Sequence, residues 1–152
     1  MREFSRYNES HMNKSVVTGI LVKNEEGKLL LVKKSGGIGP YADTYLTPGG
    51  GVNDGEPIDE AAQRELFEET GVKVRNLKRA FFDDDVTPNW KGDEKHFIML
   101  FYTGDYVSGD LKPTEGDDDN LEVIQWFSVD EIKNLKLSPP LEKFLRLTGY
   151  VG

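Results

Sequence analysis

Glu65, Glu68 and Glu69 lie within the segment RELFEETGV that begins at Arg64. On a helix turning by about 100° per residue, side chains three and four apart meet on one face, so these three carboxylates share a stripe. Pro57 suits the first turn of such a helix, because its fixed φ fits and its missing N–H would have no partner there. Gly71 is the residue expected just past the end, where a left-handed conformation closes the last turn. The spacing therefore predicts a helix over about 57–70. Toward its N-terminus the stripe carries Ile58, Ala61 and Ala62, so the acids continue a face that should be buried. Like charges so placed repel one another unless a cation sits among them, and hard oxygen donors suit Mg²⁺ or Mn²⁺. An acidic helix taken alone is more often a solvated face.

Neighbouring residues narrow the choice. Arg64 and Glu68 are four apart and can pair, but Arg before Glu is the poorer order for the helix dipole. The pair then either orients a ligand or is an ordinary surface pair worth a few tenths of a kcal/mol. Ahead of the helix, Gly49, Gly50 and Gly51 let the backbone turn tightly and approach a ligand or metal closely, although a lone glycine triplet usually marks only a loop.

Taken whole, the stretch reads Gly50, five residues, Glu56, seven residues, Arg64-Glu65-Leu66, one residue, Glu68-Glu69, one residue, Gly71-Val72. Seven fixed identities and two apolar positions would coincide by chance on the order of 10⁻⁹ times per starting position. The pattern resembles the Nudix box without a mismatch, and the resemblance implies a hydrolase that uses divalent metal to cleave pyrophosphate bonds in nucleoside diphosphate derivatives. It implies that Glu68 and Glu69 ligate metal, that Glu65 is a further ligand or the base accepting the water's proton, and that Arg64 orients Glu68. It also implies that backbone groups of Gly49 and Gly50 help bind metal. Thr47 stands before Pro48 where relatives usually carry an apolar residue, a departure that bears on local packing.

A carboxylate outside the box often takes part in this family, and PTEGDDDNLEVIQW offers Glu115, Asp117, Asp118, Asp119 and Glu122. Glu122, four residues before Trp126, is the first choice, and Lys33 at the end of a strand is positioned to contact a phosphate. Pro88, 16 residues beyond Val72, resembles a marker of the branch that splits ADP-ribose. A nucleoside triphosphate pyrophosphatase of the nucleotide-cleansing type is the alternative, and a non-catalytic nucleotide sensor a further one. Sensors typically lose box acids, and this chain keeps Glu56, Glu65, Glu68 and Glu69. Tyr41, Tyr45, Phe82 and Trp90 could stack on a base, whereas His11 and His96 read as structural or exposed.

Composition excludes other chemistry. No cysteine occurs, which rules out disulfides, thiolate metal sites and a cysteine nucleophile. A net charge of −8, from 27 acids against 19 bases, offers no basic surface for a long nucleic acid, while a small nucleotide remains compatible because bound metal inverts the local charge. The N-terminal MREFSRYNESHMNKS has no apolar core and no run reaches a membrane span, so no membrane is expected and the simplest location is the cytoplasm. A homodimer is compatible with all of this.

The elements that must position the helix are legible as well. SVVTGILVK (15–23) and LLLVKK (29–34) flank the turn signal NEEG and read as a hairpin. A glycine-rich loop, SGGIGPYADTY, leads to the box, and strands are expected near 73–82, 96–106 and 121–127. Ser128 and Glu131 form a capping-box pattern, and Ser138-Pro139-Pro140 opens a last helix whose Leu141, Phe144 and Leu145 face the core. A polar segment (1–14) followed by a single domain (15–152) accounts for the chain, and the resemblance, over about 15–147, implies an α/β fold, the α/β/α sandwich with a mixed central sheet.

Overall fold

A computed structural model describes residues 12–34, 39–89, 91–114 and 121–152. His11, Trp90, Glu115, Asp117, Asp118, Asp119, positions 35–38 of the glycine-rich loop and most of the polar N-terminal segment lie outside the described residues.

The apolar runs of β1 (Lys14–Lys23) and β2 (Leu29–Lys34) bury both strand faces, as happens when a sheet is covered on two sides. Ile20, Val22 and Leu30 pack with Ala62 and Leu66 of helix α1 (Ile58–Thr70). Their neighbours Leu21, Leu29 and Leu31 point the other way, onto Ile132 of α2 (Val129–Ile132) and Leu141, Phe144 and Leu145 of α3 (Pro139–Leu147). Period-two alternation thus builds two cores on one sheet, and the result is the α/β/α sandwich anticipated above.

Among the described residues the sheet has seven strands. β3 (Tyr45–Leu46) and β7 (Leu121–Phe127) flank β2, while β4 (Gly49–Gly51) and β6 (Glu94–Ser108) flank β1, and β5 (Lys73–Pro88) closes the far edge. β1 runs parallel to β6 and antiparallel to β4, so the sheet is mixed. β1 and β2 share one registered pair, Lys23↔Leu29, beside a turn in which Asn24 Oδ1 accepts from the Glu26 and Lys28 amides. Beyond that pair the two strands take different partners and part.

Local signals are realised with small shifts. Pro57 is the residue capping α1 rather than its first helical one, and Gly71 adopts φ 83° and donates to Phe67 O at 2.9 Å. Ser128 and Glu131 form the reciprocal capping box, and the Ser138 side chain accepts from Leu141 N. β5 continues six residues past the expected end at 82. Asp83, Asp84 and Asp85 are poor strand formers, yet each finds a partner: Lys143, His96 and the Tyr41 hydroxyl respectively. The glycine triplet is a strand, Val17, Thr18 and Gly19 pairing with Gly51, Gly50 and Gly49. Among the described residues no helix is long and apolar enough to cross a membrane.

Candidate active site

Arg64 organises the acids. Its Nε and Nη2 donate to the two carboxylate oxygens of Glu56 at 2.7 and 2.9 Å, a bidentate pair. Nη1 donates to Glu65 at 2.9 Å and to Glu68 at 3.0 Å, and Nη2 also reaches the Gly51 carbonyl at 3.0 Å. The anticipated Arg64–Glu68 contact is present, but it is one arm of a larger clamp. Hydrogen bonds from Arg64, then the Asn53 N–H, pull the Glu56 carboxyl down to about 2. The same bonds to Glu56, with Glu65 adding, hold the guanidinium above its ordinary range.

Glu69 is placed differently. It is 8% exposed, and the Gly49 N–H donates to its Oε1 at 3.3 Å. The stripe of three acids is therefore divided: Glu65 and Glu68 meet on Arg64 while Glu69 lies under β4. Among the described residues no three acids form a ready metal-holding group. The physical reason is the arginine, whose fixed positive charge gathers two of the acids that would otherwise repel one another.

Absence of side chains on β4 makes this approach feasible. A Cβ on Gly50 would run into the Glu65 carboxylate, and one on Gly49 would run into the Thr18 carbonyl. Thr18 Oγ1 donates to the Gly50 carbonyl at 3.2 Å and pins the strand. Thr47, the departure noted above, packs its hydroxyl against Gly19, where the missing Cβ leaves room.

A cleft of about 390 Å³ opens beside Glu69 and the three glycines, where β1 and β2 have parted. Tyr41, Phe97, Met99, Phe101 and Leu141 supply apolar walls, and Lys34, Asn89, Lys91 and Lys95 supply polar ones. Tyr41 holds φ 55° and donates to Asp85 Oδ2 at 2.7 Å, and burial, together with that carboxylate, raises its phenol well above the ordinary range.

Other expected residues lie apart from this group. Lys33 pairs with Glu122 at 3.5 Å and sits over the Tyr45 ring, so it is Lys34 that lines the cleft. Val32 and Lys34, two apart on β2, both line the cleft, and strand alternation turns the intervening Lys33 to the other face. Pro88 is exposed and pairs with Glu94, and its neighbour Asn89 faces the cleft instead. Tyr45 packs edge-on against Phe127, and Phe82 is 78% exposed on the other side of the sheet. Sequence reasoning assigned no role to Glu56, Lys91 or Lys95. For Glu56 its place in the box was a usable signal, whereas the lysines offered none.

Comparisons with known proteins bear on the family and the fold. A family model described as NUDIX domain matches residues 13–148. The chain is 33% identical over 118 residues to the NAD-capped RNA hydrolase NudC of Chromobacterium violaceum, covering 78% of the chain and 40% of that relative. It is 34% identical over 123 residues to an RNA pyrophosphohydrolase of Bradyrhizobium sp., covering 71% of the chain and 73% of the relative. The chain thus spans less than half the length of the NudC relative. Similar solved structures include a MutT NUDIX hydrolase from Burkholderia pseudomallei (TM-score 0.74, 24% identity, 89% of this chain and 98% of that one). Another is the MutT protein from Methanosarcina mazei Go1 (TM-score 0.74, 25% identity, 93% and 97%).

Proposed function

Since the chain belongs to the Nudix family, we propose that it is a divalent-metal-dependent pyrophosphohydrolase that cleaves the diphosphate linkage of a small nucleoside diphosphate derivative. One observation carries the reading: Arg64, locked bidentately onto Glu56, holds Glu65 and Glu68, while buried Glu69 of the same helix lines a cleft.

The donor set fits Mg²⁺ or Mn²⁺. Carboxylates of Glu65 and Glu69 stand against a strand of bare glycines, where a Cβ on Gly50 would collide with Glu65, and Glu68 shares Arg64 with Glu65. Glu65, Glu68 and Glu69, with backbone groups of Gly49 and Gly50, are the residues that would hold the metal. When bound, such a metal lowers the pKa of the attacking water and neutralises charge on the diphosphate oxygens. The chain itself supplies position and proton handling. Arg64 sets the carboxylates of Glu65 and Glu68, and Glu65, if not a ligand, accepts the water's proton. Glu122, tied to Lys33, remains the acid outside the box in this reading. Water adds to one phosphorus, the bridging oxygen leaves with the other, and two phosphorylated products result.

ADP-ribose is the finer substrate reading and rests on Pro88 and the segment DEKHFIMLF a few residues on; nucleoside triphosphates are the competing class. The names of the two relatives add diphosphate linkages at an RNA end as members of the same chemistry. A panel of ADP-ribose, NAD and the nucleoside triphosphates, assayed with Mg²⁺ and again in excess EDTA, tests the proposal. Metal-dependent release of nucleoside monophosphate from at least one compound is the expected outcome. Full turnover in EDTA would remove the metal from the mechanism, and nucleotide binding without turnover would leave a sensor.

A further inference from the structure

β5 is an exposed sheet edge, and its charges are sorted along its length. Among the described residues it pairs only with β6, so the backbone N–H and C=O groups on its outer side meet no strand. Long edges are usually blunted by lysines and bulges. The first half of β5 has both: Lys73, Arg75, Lys78 and Arg79, with register irregularities as far as Phe81. The second half has neither. From Phe82 to Pro88 its pairing with β6 is unbroken, and exposed Phe82 and Val86 flank Asp83, Asp84 and Asp85.

A strand basic at one end and acidic at the other complements a second copy of itself when the two run in opposite directions. The faces fix the register. Ala80 is an extra residue between Arg79, opposite Tyr102, and Phe81, opposite Phe101. Arg79 therefore faces α1, where it meets Asp59, whereas Phe81 faces α3 and stacks on Phe144. Alternation then puts Phe82 and Asp84 on the α1 face and Lys78, Asp83 and Asp85 on the α3 face, in keeping with the Asp83 bond to Lys143. Residues directly opposite in a ladder share a face. With a two-fold axis at Phe82 and Ala80 bulged out of both strands, Arg79 falls opposite Asp84 of the second copy, Lys78 opposite Asp85, and Phe81 opposite Asp83. Every one of these pairs matches in face, and the two ionic ones match in charge. An axis at Asp84 would set acid against acid, as would in-register parallel strands.

At the axis the two Phe82 rings meet, beside a groove of about 330 Å³ lined by Ile58, Ala80, Leu100 and Tyr102. The Arg79–Asp59 and His96–Asp84 pairs of the single chain lie at the surface, so exchanging partners costs little.

We propose that two copies of this chain associate through antiparallel β5 edges centred on Phe82, continuing the sheet from one protomer into the other. The strands meet over residues 78–85, about 26 Å of ladder. With one aromatic anchor from each copy this is a small interface, and the dimer it makes is of roughly micromolar strength.

Sedimentation equilibrium on the whole chain, from about 1 to about 200 µM, should follow an equilibrium between 17.2 kDa and twice that mass. Arg79→Asp and Asp84→Arg each set like charges opposite one another and should weaken the dimer about tenfold or more. Mixed in equal amounts, the two variants regain both contacts, one copy supplying two aspartates and the other two arginines, and should associate within about threefold of the parent. Phe82→Ser should weaken association about tenfold or more. A chain that stays monomeric throughout overturns the proposal and leaves β5 a blunted edge. A dimer indifferent to the substitutions, or a mixture no tighter than its components, overturns it as well and puts the interface elsewhere. Should Arg79→Asp fail to fold, Asp84→Arg and Phe82→Ser, which alter exposed side chains, decide alone: parental association in either refutes the register.

Discussion

Gly49 and Gly50 are adjacent, carry no side chain and lie on the same three-residue strand, yet replacing each with alanine should fail in opposite ways. At Gly49 the added Cβ meets the Thr18 carbonyl and the Gly19 Cα, both backbone. Backbone cannot rotate aside, so β4 must move off β1, loosening the Gly19↔Gly49 and Thr18↔Gly50 pairs and the Ile20 N–H to Pro48 O bond of 3.0 Å. Overpacking of this kind costs about 1–3 kcal/mol. For a domain of this size each kcal/mol is about 2–4 °C of Tm, so Gly49→Ala should melt about 2–12 °C lower. At Gly50 the obstacle is the tip of the Glu65 side chain, 21% exposed, which can swing away. The displaced carboxylate leaves Arg64 for solvent, but the guanidinium keeps Glu56 and Glu68, and loss of one partly exposed ion pair costs about 1 kcal/mol. Gly50→Ala should therefore melt within about 4 °C of the parent while kcat falls by about 10², the usual penalty for misplacing a group that acts on the transition state. Thermal melts and steady-state kcat at saturating metal, measured side by side, check both halves. A Gly50→Ala protein that melts as low as Gly49→Ala, or that turns over at the parental rate, would refute the argument.

Glu68→Gln and Glu69→Gln should each lower kcat by about 10² or more with melting almost unchanged; near-parental kcat in both would make α1 a structural helix. Glu56 carries a pH signature. Its carboxyl is held down at about 2 in the folded chain by Arg64, against an unfolded value near 4.5, so its contribution is complete above the unfolded value and is lost as pH falls through the folded one. Melting temperature followed from pH 5 to pH 2 should drop more steeply for the parent than for Glu56→Gln, and parallel curves would deny the Glu56–Arg64 bond its role.

What could be read in advance was local. The acidic helix, its Gly71 stop, the Ser128–Glu131 box and the Ser138 cap depend on residues within a turn or two of one another, and each is found within a residue of where the spacing puts it. What escaped depends on strands meeting across the chain. Asp83–Asp85 extend β5 in register with β6, and Lys143, His96 and Tyr41 from elsewhere in the chain bond their carboxylates. Gly49–Gly51 became a strand because β1 offered its open edge, beyond the point where β2 leaves it. Lys33, expected to contact a phosphate, pairs instead with Glu122 of β7, and Lys34 on the opposite face lines the cleft. The candidate site divides along the same line. Its acids come from one short segment and were legible as a set, whereas the direction each acid takes was decided by Arg64 and by β4 approaching from outside the helix. Lys91 and Lys95 share the cleft with Glu69 only because β6 runs parallel to β1, which carries β4 on its other edge. It follows that the candidate acids of this chain are written in consecutive residues, while the cleft beside them is written in the topology of the sheet.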